Sequence, residues 1–266
     1  MAKLYVVGTP IGNLKDITYR AVEILQSADV VACEDTRHSK PLLAHYGAKA
    51  RLVAYHNFNE QECASKLVDL VKSGLNVALI TDAGMPCVSD PGAEVVALCR
   101  SEGVDVESVP GPTAAATAVA VSGVKAAGFV FLGFLPDKKS AFRERVENAD
   151  KARLPLVIYC APHDVKRTAA ALNEILGDRK VFVVRELTKL HECVEVTTLN
   201  AFSCEERGEI VLVVEAAQED VNGFSELSPE EHLRRYLDAG MDKKEAVKKV
   251  ASERGVPKND IYRLIF

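Results

Sequence analysis

Leu4-Tyr5-Val6-Val7-Gly8-Thr9-Pro10-Ile11-Gly12-Asn13 is the stretch that decides the fold. Four apolar residues with no polar alternation suit a short strand buried on both faces. Gly and Pro then stop the strand and open a loop. In open parallel sheets, ligands bind beyond the carboxyl ends of the strands. The spacing therefore predicts a buried strand that carries a ligand loop.

The same pattern recurs down the first half. Strands are expected at Leu4–Val7, Val30–Cys33, Arg51–Ala54, Val77–Thr81 and Val104–Val109, with helical patterns between them. In Glu60–Ser73, the residues Cys63, Leu67, Leu70 and Val71 fall on one stripe, and Gly74 stops the helix. Strand–helix alternation argues for a parallel sheet covered on both sides. The second half differs. Strands are expected at Phe129–Leu132, Leu156–Cys160, Lys180–Arg185, Glu192–Thr198 and Ile210–Glu215, with helices at Lys139–Ala149 and Val165–Leu176. The last three strands have no long helix between them, which implies a mixed or antiparallel sheet. The break is expected near Val121–Gly128. From Ser228 onward the pattern is helical, with Pro229 at a first helical position and a helix–turn–helix over Lys243–Arg254, Gly255-Val256-Pro257 and Lys258–Leu264. The expected organisation is an α/β lobe over residues 1–121, a second lobe with a mixed sheet over 122–226, and a helical unit over 227–266.

Hydrophobic residues make up 48% and charged residues 27%, which argues against disorder. No apolar run approaches the ~20 residues of a bilayer span, and Met1-Ala2-Lys3 leads into strand without a signal peptide pattern. Seven scattered cysteines without C-x-x-C spacing suit a reducing cytoplasm and make a zinc site unexpected. The net charge is −5, but Arg234–Phe266 carries nine Lys/Arg against five Asp/Glu. A basic end on an acidic body permits a local RNA contact and equally suits a solvated helical tail.

Three further loops follow expected strands and are rich in Gly and Pro: Thr81–Gly92, Pro110-Gly111-Pro112-Thr113 and Tyr159-Cys160-Ala161-Pro162-His163. Together with Gly8–Asn13 they predict a pocket. Gly8-x-x-x-Gly12 is not a dinucleotide fingerprint and no P-loop occurs, so an adenosine compound held by backbone groups fits better. Charged clusters adjoin these loops. Cys33-Glu34-Asp35-Thr36-Arg37-His38 could position a substrate or accept a proton, or Asp35 or Thr36 could simply cap a helix. His56-Asn57-x-Asn59-Glu60 suits a cap at Asn59. Arg185-Glu186-Leu187-Thr188-Lys189-Leu190-His191-Glu192 is either a solvated turn or a rim of the pocket.

Taken in order, Thr9–Leu14, Glu34–Arg37, Asp82-Ala83-Gly84-x-Pro86, Ser89–Gly92, Pro110–Thr113, Gly133-Phe134-Leu135-Pro136, Ala161–His163, Arg185–Lys189 and Gly208–Val211 closely resemble the ribosomal RNA small subunit methyltransferase I family of the tetrapyrrole-methylase superfamily. The resemblance runs from Leu4 to about Leu264. It implies a two-lobe α/β fold, S-adenosylmethionine (SAM) between the lobes, a homodimer, and 2′-O-methylation of a decoding-centre cytidine in the 16S ribosomal RNA of the small subunit. It places the cofactor at Pro10, Gly84, Met85, Val88, Thr113, Ala114, Tyr159 and Leu187. Three positions depart from the family, which usually has Thr at Met85, Glu at Cys160 and Arg at Asp164.

A ribose hydroxyl is a poor nucleophile near neutrality and gains from a proton acceptor. The candidates are Glu34, Asp35 and Lys189, with Arg37 holding phosphate, and no metal is called for. A Lys acceptor would need a depressed pKa. The alternatives are a tetrapyrrole or other small-molecule methyltransferase, and a non-catalytic RNA-binding assembly factor.

Overall fold

A computed structural model describes residues 2–56, 60–125, 127–217, 227–254 and 256–263. The cap expected at Asn59, the turn at Gly255 and the end at Leu264 lie outside the described residues. Contacts group the chain into two compact units, Met1–Ala217 and Gln218–Phe266.

The first unit holds two five-stranded sheets. In the first, β1 (Leu4–Val7), β2 (Val30–Cys33), β3 (Arg51–Ala54), β4 (Val77–Leu79) and β5 (Val106–Val109) run in the order β3-β2-β4-β1-β5, all parallel. Its helices are α1 (Tyr19–Ser27), α2 (Thr36–His45), α3 (Glu60–Lys72) and α4 (Ala93–Ser101). The central strands β1, β2 and β4 are buried on both faces because alternate residues serve different cores, whereas the edge strands β3 and β5 are more exposed. Leu4, Val30, Ala32, Val77 and Leu79 pack with Leu67 and Val68 of α3 and with Val95 and Cys99 of α4. Val7, Val31, Cys33 and Ala78 pack with Ala21 and Leu25 of α1 and Leu43 of α2. Helices α1, α2 and α4 are shorter than α3. Each spans only nine or ten residues, and α2 opens on five polar residues.

Helix α5 (Ala114–Ser122) leaves the first sheet and packs on the second. The second sheet has β6 (Val130–Phe134), α6 (Lys139–Asp150), β7 (Leu156–Cys160), α7 (Val165–Leu176), β8 (Lys180–Arg185), β9 (Cys193–Thr198) and β10 (Ile210–Val214), in strand order β6-β7-β10-β8-β9. Only β6 and β7 are parallel; β10 pairs antiparallel with both β7 and β8, and β9 with β8. The sheet is mixed, as the missing helices predicted. One face packs on Val146 of α6 and on Val165, Ala169 and Leu172 of α7. The other face meets Ala115 and Ala118 of α5, together with Ile11 and Leu187. Small residues let α5 lie close to this sheet.

The second unit has α8 (Pro229–Asp238), α9 (Lys243–Arg254) and α10 (Lys258–Tyr262). Ser228 and Glu231 form a capping box at the start of α8. Leu233, Ala246, Val247, Val250, Ala251 and Ile261 make a small core of their own. Among the described residues, no helix is long and apolar enough to cross a membrane.

Candidate functional site

Strand order assembles the site. β1 lies between β4 and β5, so the loops after these three strands emerge side by side. They are knitted through backbone. The Thr9 N–H donates to the Gly84 carbonyl at 2.9 Å, and the Gly84 N–H donates back to Thr9 at 3.2 Å. The fully buried Thr9 hydroxyl donates to the Thr81 carbonyl at 3.1 Å. A Cβ on Gly8 would lie 2.6 Å from Gly111 Cα and 2.7 Å from Met85 Sδ. Only glycine permits that approach. On Gly12 a Cβ would meet Lys189 Cγ at 2.7 Å and the Leu187 carbonyl at 2.9 Å, which ties the first loop to the segment after β8. Asn13 shapes the turn by accepting from Lys15 N–H.

These loops wall a cavity of about 350 Å³ between the sheets. Six of the eight expected cofactor residues line it: Gly84, Met85, Val88, Thr113, Ala114 and Tyr159. Pro10 is buried next to it in sequence between Thr9 and the wall residue Ile11, and Leu187 is buried against Ile11. The wall also contains Asp90, Phe134, Cys160, Gly208 and Glu209. Asp90 and Phe134 lie in motifs visible in the sequence, but their place on the wall follows from the lobes meeting. At that junction a Cβ on Gly133 would lie 2.5 Å from Ser89 Oγ. Tyr159 is positioned by its hydroxyl, which accepts from Ala115 N–H at 3.1 Å, and by an edge contact with Phe134. Four non-glycine residues near the site hold positive φ: Cys87, Ser89, Glu186 and Thr188. Strained backbone of this kind gathers at functional sites.

Glu60 fastens the second loop at its far end. Its carboxylate accepts from Tyr55 Oη at 3.0 Å and from Gly92 N–H at 2.8 Å. That supplies a carboxylate at the start of α4, where Gly92 offers no side chain.

The charged candidates divide. Asp35 caps α2, accepting from Arg37 N–H at 2.8 Å, and pairs with the Arg37 guanidinium at 2.7 Å. Those bonds hold its carboxyl down at about 2, so it is a weak base. Arg37 reaches into solvent with its side chain 90% exposed. Lys189 pairs with Glu186 at 3.0 Å and Glu209 at 3.1 Å. Burial pulls its pKa down, but the two carboxylates outweigh burial and raise it. The ammonium keeps its proton, which corrects its candidacy as an acceptor. Glu34 is raised by burial and then by Asp82, with His56 opposing. It does not line the cavity.

The departures are placed as well. Met85 fills the space beside Gly8. Cys160 is buried, which pushes its thiol up to about 12. Asp164 pairs with Arg167 at 2.9 Å on the wall of a second cavity, of about 410 Å³, which shares Phe134, Tyr159, Cys160 and Ala161 with the first.

The sequence pattern of the tetrapyrrole (corrin/porphyrin) methylases matches residues 3–202. Proteins named ribosomal RNA small subunit methyltransferase I match almost end to end. The one from Halalkalibacterium halodurans is 42% identical over 98% of this chain and 93% of its own, and the one from Bacillus subtilis is 41% identical over the same shares. The chain belongs to the ribosomal RNA small subunit methyltransferase I family of the tetrapyrrole methylases.

Solved structures agree on the fold. The methyltransferase CobJ superposes with a TM-score of 0.64 at 18% identity over 82% of this chain and 95% of its own. A diphthine synthase gives 0.64 at 14% over 80% and 90%. This family member thus shares its fold with proteins of very different sequence.

Proposed function

We propose that the chain transfers the methyl group of SAM to the 2′-hydroxyl of a cytidine ribose in 16S ribosomal RNA, at the decoding centre of the small subunit. The observation that carries this is the convergence of the family's Gly/Pro loops on one cavity, in a chain 42% identical to a ribosomal RNA small subunit methyltransferase I over 98% of its length.

The cavity fits SAM by its construction. Backbone at Gly84, Thr113 and Ala114 suits a ligand with few net charges, and Ile11, Met85, Val88 and Val211 give apolar contact. Pro10, Gly84, Met85, Val88, Thr113, Ala114, Tyr159 and Leu187 would hold it. When bound, SAM supplies a methyl group already made electrophilic by its sulfonium. The chain's own work is to bring the ribose oxygen into line, and such positioning is worth about 7–11 kcal/mol of a barrier. Exposed Arg37 suits an RNA phosphate. Lys189 stays protonated on the rim, with its charge offset by Glu186 and Glu209. The basic tail Arg234–Phe266 adds further phosphate contacts.

We further propose that it works as a homodimer, as the family resemblance implies, and in the cytoplasm, which its seven scattered cysteines suit. Light scattering of the purified protein tests the dimer. The function itself is tested with labelled SAM and small subunits or free 16S RNA from cells lacking this protein. Label should enter RNA at one cytidine and be recovered as a 2′-O-methyl nucleoside. Label in a base, or none in RNA, would overturn the proposal.

A further inference from the structure

Two carboxylates line the cavity, those of Asp90 and Glu209. Glu209 is committed to Lys189, and its side chain is 71% exposed. Asp90 forms no hydrogen bond or ion pair with any described residue, although it is half-buried and lines the cavity together with Tyr159 and Phe134 of the chain's other sheet. A half-buried carboxylate without a partner is costly and calls for a function. We propose that the Asp90 carboxylate is the proton acceptor for the ribose 2′-hydroxyl, a role that rests on the methyl-transfer function proposed above.

The loop holds Asp90 firmly. Ser89 before it is in a left-handed conformation, Pro91 follows it, and Gly92 is anchored on Glu60 at 2.8 Å. A rigid mount of this kind suits a group that must meet one hydroxyl. Its neighbours keep it basic. Glu34 after β2 and Asp82 after β4 both act on it, and Asp82 has a buried oxygen with no hydrogen-bond partner. Cys87 on its own loop and Tyr159 on β7 complete the titratable groups coupled to it, and none of the four is a cation. Burial, then Glu34 and Asp82, push the Asp90 carboxyl up to about 6. It is therefore ionised near neutrality yet more basic than an exposed aspartate. Asp35, locked by Arg37, and Lys189, already protonated, cannot offer this.

The step balances simply. The 2′-oxygen attacks the methyl carbon as the carbon–sulfur bond breaks, with the pair returning to sulfur. The hydroxyl proton passes to an Asp90 oxygen and then to water, leaving S-adenosylhomocysteine and the 2′-O-methyl ribose.

The experiment compares wild type, Asp90→Asn, Asp90→Glu and Glu34→Gln. It measures kcat and KM for small-subunit RNA across pH, and SAM affinity by calorimetry. Asp90→Asn should lower kcat by about 10²–10⁴-fold, keep SAM affinity and KM close to wild type, and lack the acid limb expected of wild type near pH 6. Asp90→Glu should recover part of the rate. Glu34→Gln removes a like charge and should move the acid limb to lower pH. A near-normal kcat in Asp90→Asn with the acid limb intact would overturn the role. So would a loss of SAM affinity that accounts for the loss of rate, which would make Asp90 a cofactor ligand. If wild type itself transfers nothing to RNA, the proposed function fails, and the acceptor role falls with it.

Discussion

Two parts of the same site are built by opposite means. The wall after β1, β4 and β5 is made of backbone. Gly8 lies against Gly111, Thr9 is paired with Gly84, and no charged group of the first loop is involved. The rim after β8 is made of side chains: Glu186, Lys189 and Glu209 form an ion-paired row, with Arg185 paired to Glu195 and Glu205 behind it. Backbone walls tolerate a change of side chain, as Met85 illustrates, but not an added Cβ. Charged rims tolerate shape changes but not a change of sign. The first design suits a cofactor recognised by shape, whereas the second sets four carboxylates against two cations and fixes the segment after β8 by ion pairs.

The comparison can be broken most sharply at Gly8. Gly8→Ala puts a Cβ 2.6 Å from Gly111 Cα. Overpacking of this kind costs about 1–3 kcal/mol, and a shift of the wall by an ångström costs about 10²-fold in rate. Thermal melts and SAM calorimetry should both show the loss. Normal SAM affinity in the Gly8→Ala variant would end the idea of a backbone-built wall.

Removing the basic tail is expected to act on the other ligand. A chain ending at Leu227 should bind RNA more weakly, and its salt slope should fall by roughly 0.7–0.9 for each phosphate no longer neutralised. SAM affinity should stay. Filter binding at several salt concentrations checks this, and unchanged RNA affinity would exclude the helices from the interface.

Smaller effects refine the boundary between the two designs. Tyr159→Phe leaves the ring against Phe134 but strips Ala115 N–H of its acceptor. The expected loss is about 1 kcal/mol of stability with a modest fall in SAM affinity. Asp35→Asn should be the mildest for stability, because Asn also caps a helix and the Arg37 pair is exposed. The folded carboxyl sits at about 2, below its ordinary value. Its contribution is therefore complete above the normal aspartate range and fades as the pH falls towards 2. NMR titration of Asp35 should give that low midpoint, and an ordinary one would remove the pair with Arg37.

Much of this was legible beforehand. The ten strands of the described residues overlap the expected ones, although β4 stops at Leu79 and β5 starts at Val106, because loop residues beside a strand can be as apolar as the strand itself. The Gly/Pro loops announced the cavity, since close backbone approach leaves a mark in composition. The charged residues were harder. Lys189 looked like a possible base because its neighbours Glu186 and Glu209 are three and twenty residues away, and only folding brings both to its ammonium. Asp90 stood in a Gly/Pro pocket loop, but its lack of a partner among the described residues depends on what folding places around it.

The sequence by itself determined the elements and the family, because local burial pattern and motif order are properties of the chain. The tertiary structure decided which loops meet. Placing β1 between β4 and β5 brings Gly8 to Gly111 across more than a hundred residues. Placing the second sheet against them puts Asp90 and Tyr159 on one cavity wall. Charge state then follows from position, since a carboxylate's basicity depends on burial and neighbouring charge, and neither is written in the order of residues.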